Sequence, residues 1–297
     1  MRALAAAFFS VCAGMVMGAP AHAQPQAGDW PEIETKDIFG FTEGSGIGLE
    51  GEKEISFGTE ARLGKSGGRY WGSESKLEFE FTPSQYVQFA FGPFFSAHNI
   101  SNVPGLDDRK AVNLGGAFGE VRYLLLDRSA SQPVSLTLSA EPEWRRIDET
   151  GGARVTNAEL ELKLNADVEL IKDRLYFGSN LLYEPEGTRD PDGVGAGWMQ
   201  ESKLGVSGAL AYRVASDVVL GAEVWYLRHY DGMWANQFTG DAVYLGPTLY
   251  VKVAPKVFIT AAWNAQVTGS DVDDPGAHLN LTEFSRQRFQ FKTAFEF

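Results

Sequence analysis

The sequence predicts an all-β fold in which about twelve antiparallel strands run up and down and close into a barrel that spans a membrane. Three observations lead to this prediction. Apolar and polar residues alternate over long segments, these segments are longer than ordinary globular strands, and the links between them are alternately long and short. Together these features favour strands that cross a bilayer.

The clearest alternation lies in the segment 158–170, where apolar residues occupy the even positions and polar or charged residues the odd ones. A pleated strand separates the two sets onto opposite faces, whereas a helix would mix them. The segment has thirteen residues, against about 5–6 for an average globular strand and about 9–11 for a tilted membrane strand. Similar patterns predict strands at 54–63, 70–81, 86–98, 110–126, 133–148, 155–170, 174–187, 201–214, 218–230, 239–253, 257–268 and 285–297.

The links between these strands differ in length on the two rims. Several of the links that leave odd-numbered strands are long and rich in Gly and Asp, such as 188–200 and 269–284. The links that leave even-numbered strands are tight, such as 171–173 and 215–217. Outer-membrane barrels have short turns on the periplasmic side and longer loops outside, so this asymmetry assigns the two rims. A secreted soluble β-sandwich or calyx is the alternative, but it does not account for the strand length, the loop asymmetry or the polarity of the inner face.

Outward-facing aromatic residues are expected near both rims, because aromatic girdles mark the two membrane interfaces. The predicted set is Trp71, Trp144, Tyr183, Tyr226 and Tyr230 towards the long loops, and Tyr123, Tyr212 and Phe297 towards the short turns.

The first residues have the features of a secretory signal peptide. Arg2 precedes an apolar run of small residues, and Ala21-His22-Ala23 supplies an A-x-A cleavage pattern. We therefore predict a signal peptide at 1–23, an N-terminal extension on the periplasmic side at 24–52, and the barrel at 53–297. Cys12 lies within the apolar run after Val11, which argues against a lipoprotein.

Composition excludes several classes of function. The chain carries 39 acidic and 26 basic residues, a formal charge of −13, and offers no basic stripe to a nucleic acid. Since Cys12 is the single cysteine, the mature chain has neither disulfides nor a cysteine-ligated metal. After Ala23 no stretch approaches the ~18 apolar residues that a membrane helix needs. No cofactor and no metal are predicted.

The last nine residues, 289–297, carry a terminal Phe297 with apolar residues at alternate positions before it. This strand resembles the C-terminal assembly signal of Gram-negative outer-membrane β-barrels. The segments 39–44 and 51–55 also look like the start of uncharacterised, porin-like members of that superfamily. The resemblance implies export to the outer membrane, recognition by the barrel-assembly machinery, and contact with outer-membrane lipid and lipopolysaccharide. It implies no activity.

The alternation places many charged side chains in the lumen, where they require water or mutual pairing. A water-filled pore is one outcome, and a lumen closed by salt bridges is the other. We expect a porin-like channel for passive passage of small polar or cationic solutes; the alternatives are a structural or adhesive barrel and a lipid-modifying enzyme. The predicted lumen residues are Glu78, Glu80, Glu120, Arg122, Glu141, Glu143, Arg145, Glu159, Glu161, Lys163, Asp167, Arg213, Glu223, Lys252, Arg288 and Lys292.

The sequence offers weak candidates for catalysis or metal binding. The segment 98–102 contains His, Ser and Asn, but its spacing differs from the H-x-S-N-G motif of a barrel phospholipase. We predict no catalytic residue, because no set of base, nucleophile and orienting group is apparent. The acidic run 271–274 lacks the Gly and terminal Glu of an EF-hand, so we interpret it as a solvated loop.

Overall fold

The computed structural model describes residues 30, 33–129, 132–189, 191 and 197–297. Its strands close into one antiparallel barrel in which each strand pairs with its neighbours in sequence and β1 pairs with β12. The strands are β1 (Lys53–Leu63), β2 (Arg69–Ser84), β3 (Val87–Ser101), β4 (Arg109–Leu126), β5 (Val134–Ile147), β6 (Arg154–Ile171), β7 (Leu175–Arg189), β8 (Met199–Ala215), β9 (Val218–Asp231), β10 (Gln237–Ala254), β11 (Val257–Asp271) and β12 (Gln287–Glu296).

All twelve predicted strands are confirmed, and no predicted boundary differs from the observed one by more than three residues. The seam between β1 and β12 runs from Glu54, opposite Glu296, to Leu63, opposite Gln287. The backbone N–H of Phe297 donates to the carbonyl of Lys53 at 2.8 Å and extends this pairing to the C-terminus. Closure leaves the sheet without a free edge, which a lipid environment requires.

The outer surface of the barrel is apolar. Leu181 is 59 % exposed, and Phe91 and Leu245 are more than half exposed. Exposed apolar side chains in this number are unfavourable in water and favourable against lipid. Among the described residues, no helix is long and apolar enough to cross a membrane.

The aromatic side chains near the rims follow the prediction with two differences. Tyr183 is only partly exposed, because its hydroxyl donates to the carbonyl of Met233. Tyr230 is buried, and its ring packs edge-on against Phe238 at 5.7 Å between centroids. The others are more than a third exposed: Trp71, Trp144, Tyr226, Tyr123, Tyr212 and Phe297.

Residues 33–48, here called the inner segment, lie inside the barrel. Ile38 and Phe39 are fully buried against residues of the inner wall such as Tyr176 and Val219. Gly40 turns the chain at a φ of +93°, and a Cβ there would approach Thr248 Cγ2 to 2.7 Å. A glycine is therefore required where the turn meets the wall.

The inner segment qualifies the expectation of a periplasmic extension. The sequence predicts residues 24–52 on the periplasmic side, and the described part instead enters the lumen from the end that carries the short turns. The division between extension and barrel at residue 53 stays a prediction. The predicted signal peptide, 1–23, lies outside the described residues.

The loop between β11 and β12, residues 272–286, folds into the barrel from the opposite rim. Lys65 donates from Nζ to the carbonyl oxygens of Thr282 at 2.7 Å and Glu283 at 3.2 Å. Phe284 is 8 % exposed and shares an apolar cluster with Phe41 of the inner segment. The two inserted pieces of chain therefore meet within the lumen.

The apolar outer belt predicts a large effect of an outward charge in the middle of a strand. We expect Leu181→Arg on β7 to lower the free energy of unfolding in lipid vesicles by about 2–4 kcal/mol, because a cation then faces hydrocarbon. Denaturant titration followed by tryptophan fluorescence measures this change. Leu49→Arg is the matched control: Leu49 is 77 % exposed but precedes the first strand, so an equal loss in both variants would contradict a lipid-facing belt.

Candidate functional site

The barrel lumen is the candidate functional site. The sixteen residues predicted to line it all lie on the inner face, and none of them is exposed. Their inward position follows from the period of two, since the intervening residues contribute the apolar outer belt. The structure divides them into residues that hold the inner segment, residues that line a charged cavity, and Arg213 and Lys252 at the periplasmic end.

Asp167 on β6 holds both ends of the inner segment. Its Oδ2 accepts hydrogen bonds from Thr35 Oγ1 at 2.7 Å, from the backbone N–H of Ser45 at 2.7 Å and from Ser45 Oγ at 2.6 Å. Arg128 pairs with the other carboxylate oxygen. A buried carboxylate needs such hydrogen-bond donors. The inner segment therefore stabilises a charged group of the barrel wall.

Glu223 on β9 holds the middle of the segment. Its two oxygens accept from the backbone N–H groups of Phe41 at 3.1 Å and Thr42 at 2.7 Å, and Asn264 donates to it at 3.0 Å. Thr42 also donates from its hydroxyl to Ser207 Oγ at 3.0 Å. The backbone of the turn at residues 40–42 is thus hydrogen-bonded to the wall.

At Glu43 the buried carboxylate belongs to the inner segment, and its partners belong to the wall. Its carboxylate accepts from Arg122 at 2.6 Å and from Lys163 at 2.7 Å. Burial disfavours the charged form, but Lys163 and Arg122 outweigh it and hold the pKa of Glu43 below its usual range. Arg122 also donates to the carbonyl of Gly44 at 2.8 Å, so segment and wall neutralise each other.

A cavity of about 340 Å³ remains beside the inner segment. On β1 it extends along the inward positions from Ser56 to Arg62, which is roughly 20 Å of strand at about 3.3 Å per residue. Thirteen acidic and ten basic side chains line it. The acids are Asp37, Glu43, Glu60, Glu74, Glu78, Glu120, Glu141, Glu143, Glu149, Glu159, Glu161, Glu184 and Glu283; the bases are Lys36, Arg62, Lys65, Lys76, Arg122, Arg145, Lys163, Lys203, Arg288 and Lys292.

Ion pairs cross the lumen in this cavity. Lys76 on β2 reaches Glu141 on β5 at 2.5 Å and also pairs with Glu143. Arg145 on β5 pairs back with Glu74 on β2 and lies 3.1 Å from Glu159. The pairs between β2 and β5 join strands that are not neighbours in the sheet, so they narrow the lumen as well as compensate its charges.

The final strand takes part in the same pairing. Arg288 on β12 lies 3.0 Å from Glu60 on β1. Lys292 lies 3.1 Å from Asp37 and within 4 Å of Glu54, Glu78 and Glu80. Those three carboxylates lie close enough together to hold a cation, but the ammonium groups of Lys292 and Lys36 supply positive charge there.

One side of this cavity is apolar, which the alternation did not predict. Leu182, Trp225 and Leu227 point inwards and pack with Phe41 and Phe284. The signal was present in β9, whose residues are apolar on both faces around Glu223, a pattern typical of strands covered on both sides. The lumen therefore has one charged side and one apolar side.

A second cavity of about 300 Å³ opens at the periplasmic end, lined by Arg213, Lys252 and Glu296 among others. Asp37 lines both this cavity and the larger one. Its backbone carbonyl accepts from Thr260 Oγ1 at 2.8 Å, which fixes it against β11. Asp37 and its partner Lys292 thus form the boundary between the two spaces.

Two histidines lie on the inner face. His98 is buried and its Nε2 is 3.0 Å from the carbonyl of Glu149. Ser101 lies three residues further on β3 and so faces the opposite side; the structure does not bring the two together. His229 lies 3.5 Å from both Glu201 and Glu283, a set that the sequence spacing did not reveal.

Residues 31–297 match a family of unknown function, DUF6662. The chain belongs to this family. A search of curated proteins gives no match.

Solved structures of outer-membrane barrels are similar to this fold. The COG4313 outer membrane channel from Pseudomonas putida F1 matches 90 % of this chain and 100 % of its own, at 9 % identity and a TM-score of 0.57. The translocator domain of the autotransporter NalP from Neisseria meningitidis matches 84 % and 90 %, at 12 % identity and 0.51. The NanC porin matches 81 % and 98 %, at 13 % identity and 0.48. The predicted fold is confirmed: the chain is a closed antiparallel β-barrel of twelve strands, with the fold of outer-membrane barrels.

Removing the Glu223 carboxylate tests how the inner segment is held. In Glu223→Ala, the buried N–H groups of Phe41 and Thr42 lose their acceptor, which costs about 1–3 kcal/mol for each unsatisfied group. We expect these two amides to exchange with deuterium at least about tenfold faster, as measured by mass spectrometry on peptides that cover residues 38–46.

Glu184→Ala is the matched control, because Glu184 lines the cavity and pairs with Lys203 rather than with the segment. Unchanged exchange in Glu223→Ala, or equal acceleration in both variants, would contradict the anchoring role of Glu223.

Proposed function

We propose that the protein is a narrow outer-membrane channel for passive passage of small polar or cationic solutes, and that the inner segment restricts this passage. The observation that carries the proposal is the charged cavity, which extends beside the inner segment over much of the barrel height. So many charged groups can lie in a lumen only if water, ions or mutual pairing compensate them, and the open cavity leaves room for water and ions.

The charge of the lining supports a preference for cations. The thirteen acids exceed the ten bases, and the excess attracts cations and excludes anions from a space this narrow. Ion pairs compensate most of the charges, so the pathway contains no large patch of one sign. Small polar solutes also find hydrogen-bond partners along the charged side of the cavity.

The proposed constriction lies where the two cavities meet. Asp37 and Lys292, 3.1 Å apart, and the adjacent pair of Lys36 and Glu80 lie between the larger cavity and the periplasmic one. Two of these four side chains belong to the inner segment. A shift of the segment would therefore separate both pairs and widen the passage at the same place.

A structural barrel with a closed lumen is the second candidate, and the cross-lumen pairs of Lys76 and Arg145 favour it. The same ion pairs that narrow the pathway would hold a barrel rigid without any solute. The absence of an enzymatic activity stays a prediction. Single-channel recording distinguishes the two candidates, since refolded protein that never gives conductance steps in a planar bilayer would favour the structural barrel.

Neutralising the constriction tests the pathway. We expect Asp37→Asn to lower the ratio of cation to anion permeability by about twofold to fivefold, because a unit charge acts on a passing ion at a distance of several Å with about 0.5 kcal/mol even in water. Reversal potentials across a salt gradient measure this ratio. Lys292 keeps acidic neighbours in the variant.

Asp127→Asn is the matched control, because Asp127 is exposed in a turn at the periplasmic rim. A ratio that stays unchanged in Asp37→Asn, or that falls equally in Asp127→Asn, would exclude Asp37 from the conduction pathway.

A reversible crosslink tests the restricting role of the inner segment. The hydroxyl oxygens of Thr42 and Ser207 are 3.0 Å apart, and the predicted mature chain has no cysteine. The double variant Thr42→Cys/Ser207→Cys can therefore attach the segment to β8 through one disulfide. We expect low conductance in the oxidised form and recovery after reduction, measured in the same planar bilayer.

The single variant Thr42→Cys controls for the reductant, and its conductance should not respond to it. Equal conductance of the oxidised and reduced double variant would show that solutes pass beside a fixed segment, contrary to the proposed restriction.

A further inference from the structure

Three exposed arginines lie near the long-loop rim on three adjacent strands. Arg146 is near the end of β5, Arg154 begins β6, and Arg189 ends β7. Thr156, two residues after Arg154, is directly opposite Arg189 in the pairing of β6 with β7. Adjacent strands are about 4.8 Å apart, so the three guanidinium groups share a patch roughly 10 Å wide.

This patch faces away from the lumen. Arg146 follows Trp144 at the spacing that keeps both on the same face, and Trp144 is 50 % exposed on the outer surface. Arg189 likewise alternates with the inward residues Leu182, Glu184 and Glu186 of β7. The acidic residues of these strands therefore point into the barrel, while the arginines remain outside.

Among the described residues, none of the three arginines has a carboxylate partner, although the chain as a whole is strongly acidic. Two of the three contact aromatic rings. The guanidinium carbon of Arg146 lies 5.9 Å from the centre of the Trp144 ring, and that of Arg189 lies 5.2 Å from the centre of the Trp198 ring. Ring stacking leaves the N–H groups of an arginine free for an anion.

The position of the patch identifies the anion. Exposed tryptophans mark the membrane interface, and Trp144 separates the arginines from the apolar belt below. Charged groups just beyond that interface meet lipid headgroups, and the long loops place this rim in the outer leaflet. Guanidinium groups bind phosphate through paired hydrogen bonds.

We propose that Arg146, Arg154 and Arg189 bind the phosphate groups of one lipopolysaccharide molecule. Trp144 and Trp198 lie against the adjoining sugar and the first part of its acyl chains. The site lies on the outside of the barrel and does not depend on conduction through the lumen.

Binding of purified lipid A tests the proposal. The protein in detergent micelles is titrated with bis-phosphorylated lipid A and, separately, with the same lipid after both phosphates are removed; native mass spectrometry gives the bound fraction. We expect the phosphorylated lipid to bind at least about tenfold more tightly. The triple variant Arg146→Gln/Arg154→Gln/Arg189→Gln should lose this difference, because it removes the guanidinium groups that form charge-assisted hydrogen bonds with the phosphates.

The triple variant Lys53→Gln/Lys172→Gln/Lys256→Gln is the matched control. It removes the same charge from exposed residues at the periplasmic end of the barrel and should bind lipid A as the unaltered protein does. Inorganic phosphate at millimolar concentration should not displace the lipid, since it lacks contacts with the tryptophans. Equal binding of the two lipids, undiminished binding by the arginine variant, or equal loss in both variants would overturn the proposal.

Discussion

A polypeptide in the core of a bilayer has no water to satisfy its N–H and C=O groups, and pairing β1 with β12 is how this chain satisfies them. The closure has a second effect. A ring of twelve strands is wider than the eight-stranded barrels whose side chains alone fill the interior. The chain fills the additional space with the inner segment, with the loop 272–286 and with ion pairs between non-adjacent strands. The contents of the lumen thus follow from the number of strands that close it.

The inner segment and the wall depend on each other electrostatically. Asp167 and Glu223 are buried carboxylates whose hydrogen-bond donors come largely from the segment. Arg122 and Lys163 in turn rely on the carboxylate of Glu43. Without the segment, water would have to form hydrogen bonds with these groups. The free energy needed to remove the segment therefore depends on how freely water can take its place. In the proposed channel, this dependence would let solvent and solutes compete with the segment for the groups of the wall.

The strands could be predicted from the sequence because their information is local: a period of two and tight turns determine both the boundaries and the inward face. The inner segment could not, because residues 33–48 show no period and bind partners more than a hundred positions away, such as Glu223. The apolar side of the lumen was missed for a similar reason, since Trp225 and Leu227 are identified as inward only when Phe41 and Phe284 are known to cover them. The alternation along each strand was enough to predict which charged side chains point inwards. Their ion-pair partners could not be predicted, because many of them lie on distant strands or in the inner segment.

The link between the inner segment and β1 consists of residues 49–52, and the backbone of Gly51 and Glu52 is hydrogen-bonded to Thr82 at the periplasmic mouth. A segment that left the lumen would therefore stay within about 15 Å of it, as a span of four extended residues allows. Its effective concentration at the mouth would be in the millimolar range. Rebinding would then be a unimolecular event whose rate does not depend on how many copies of the protein the membrane holds.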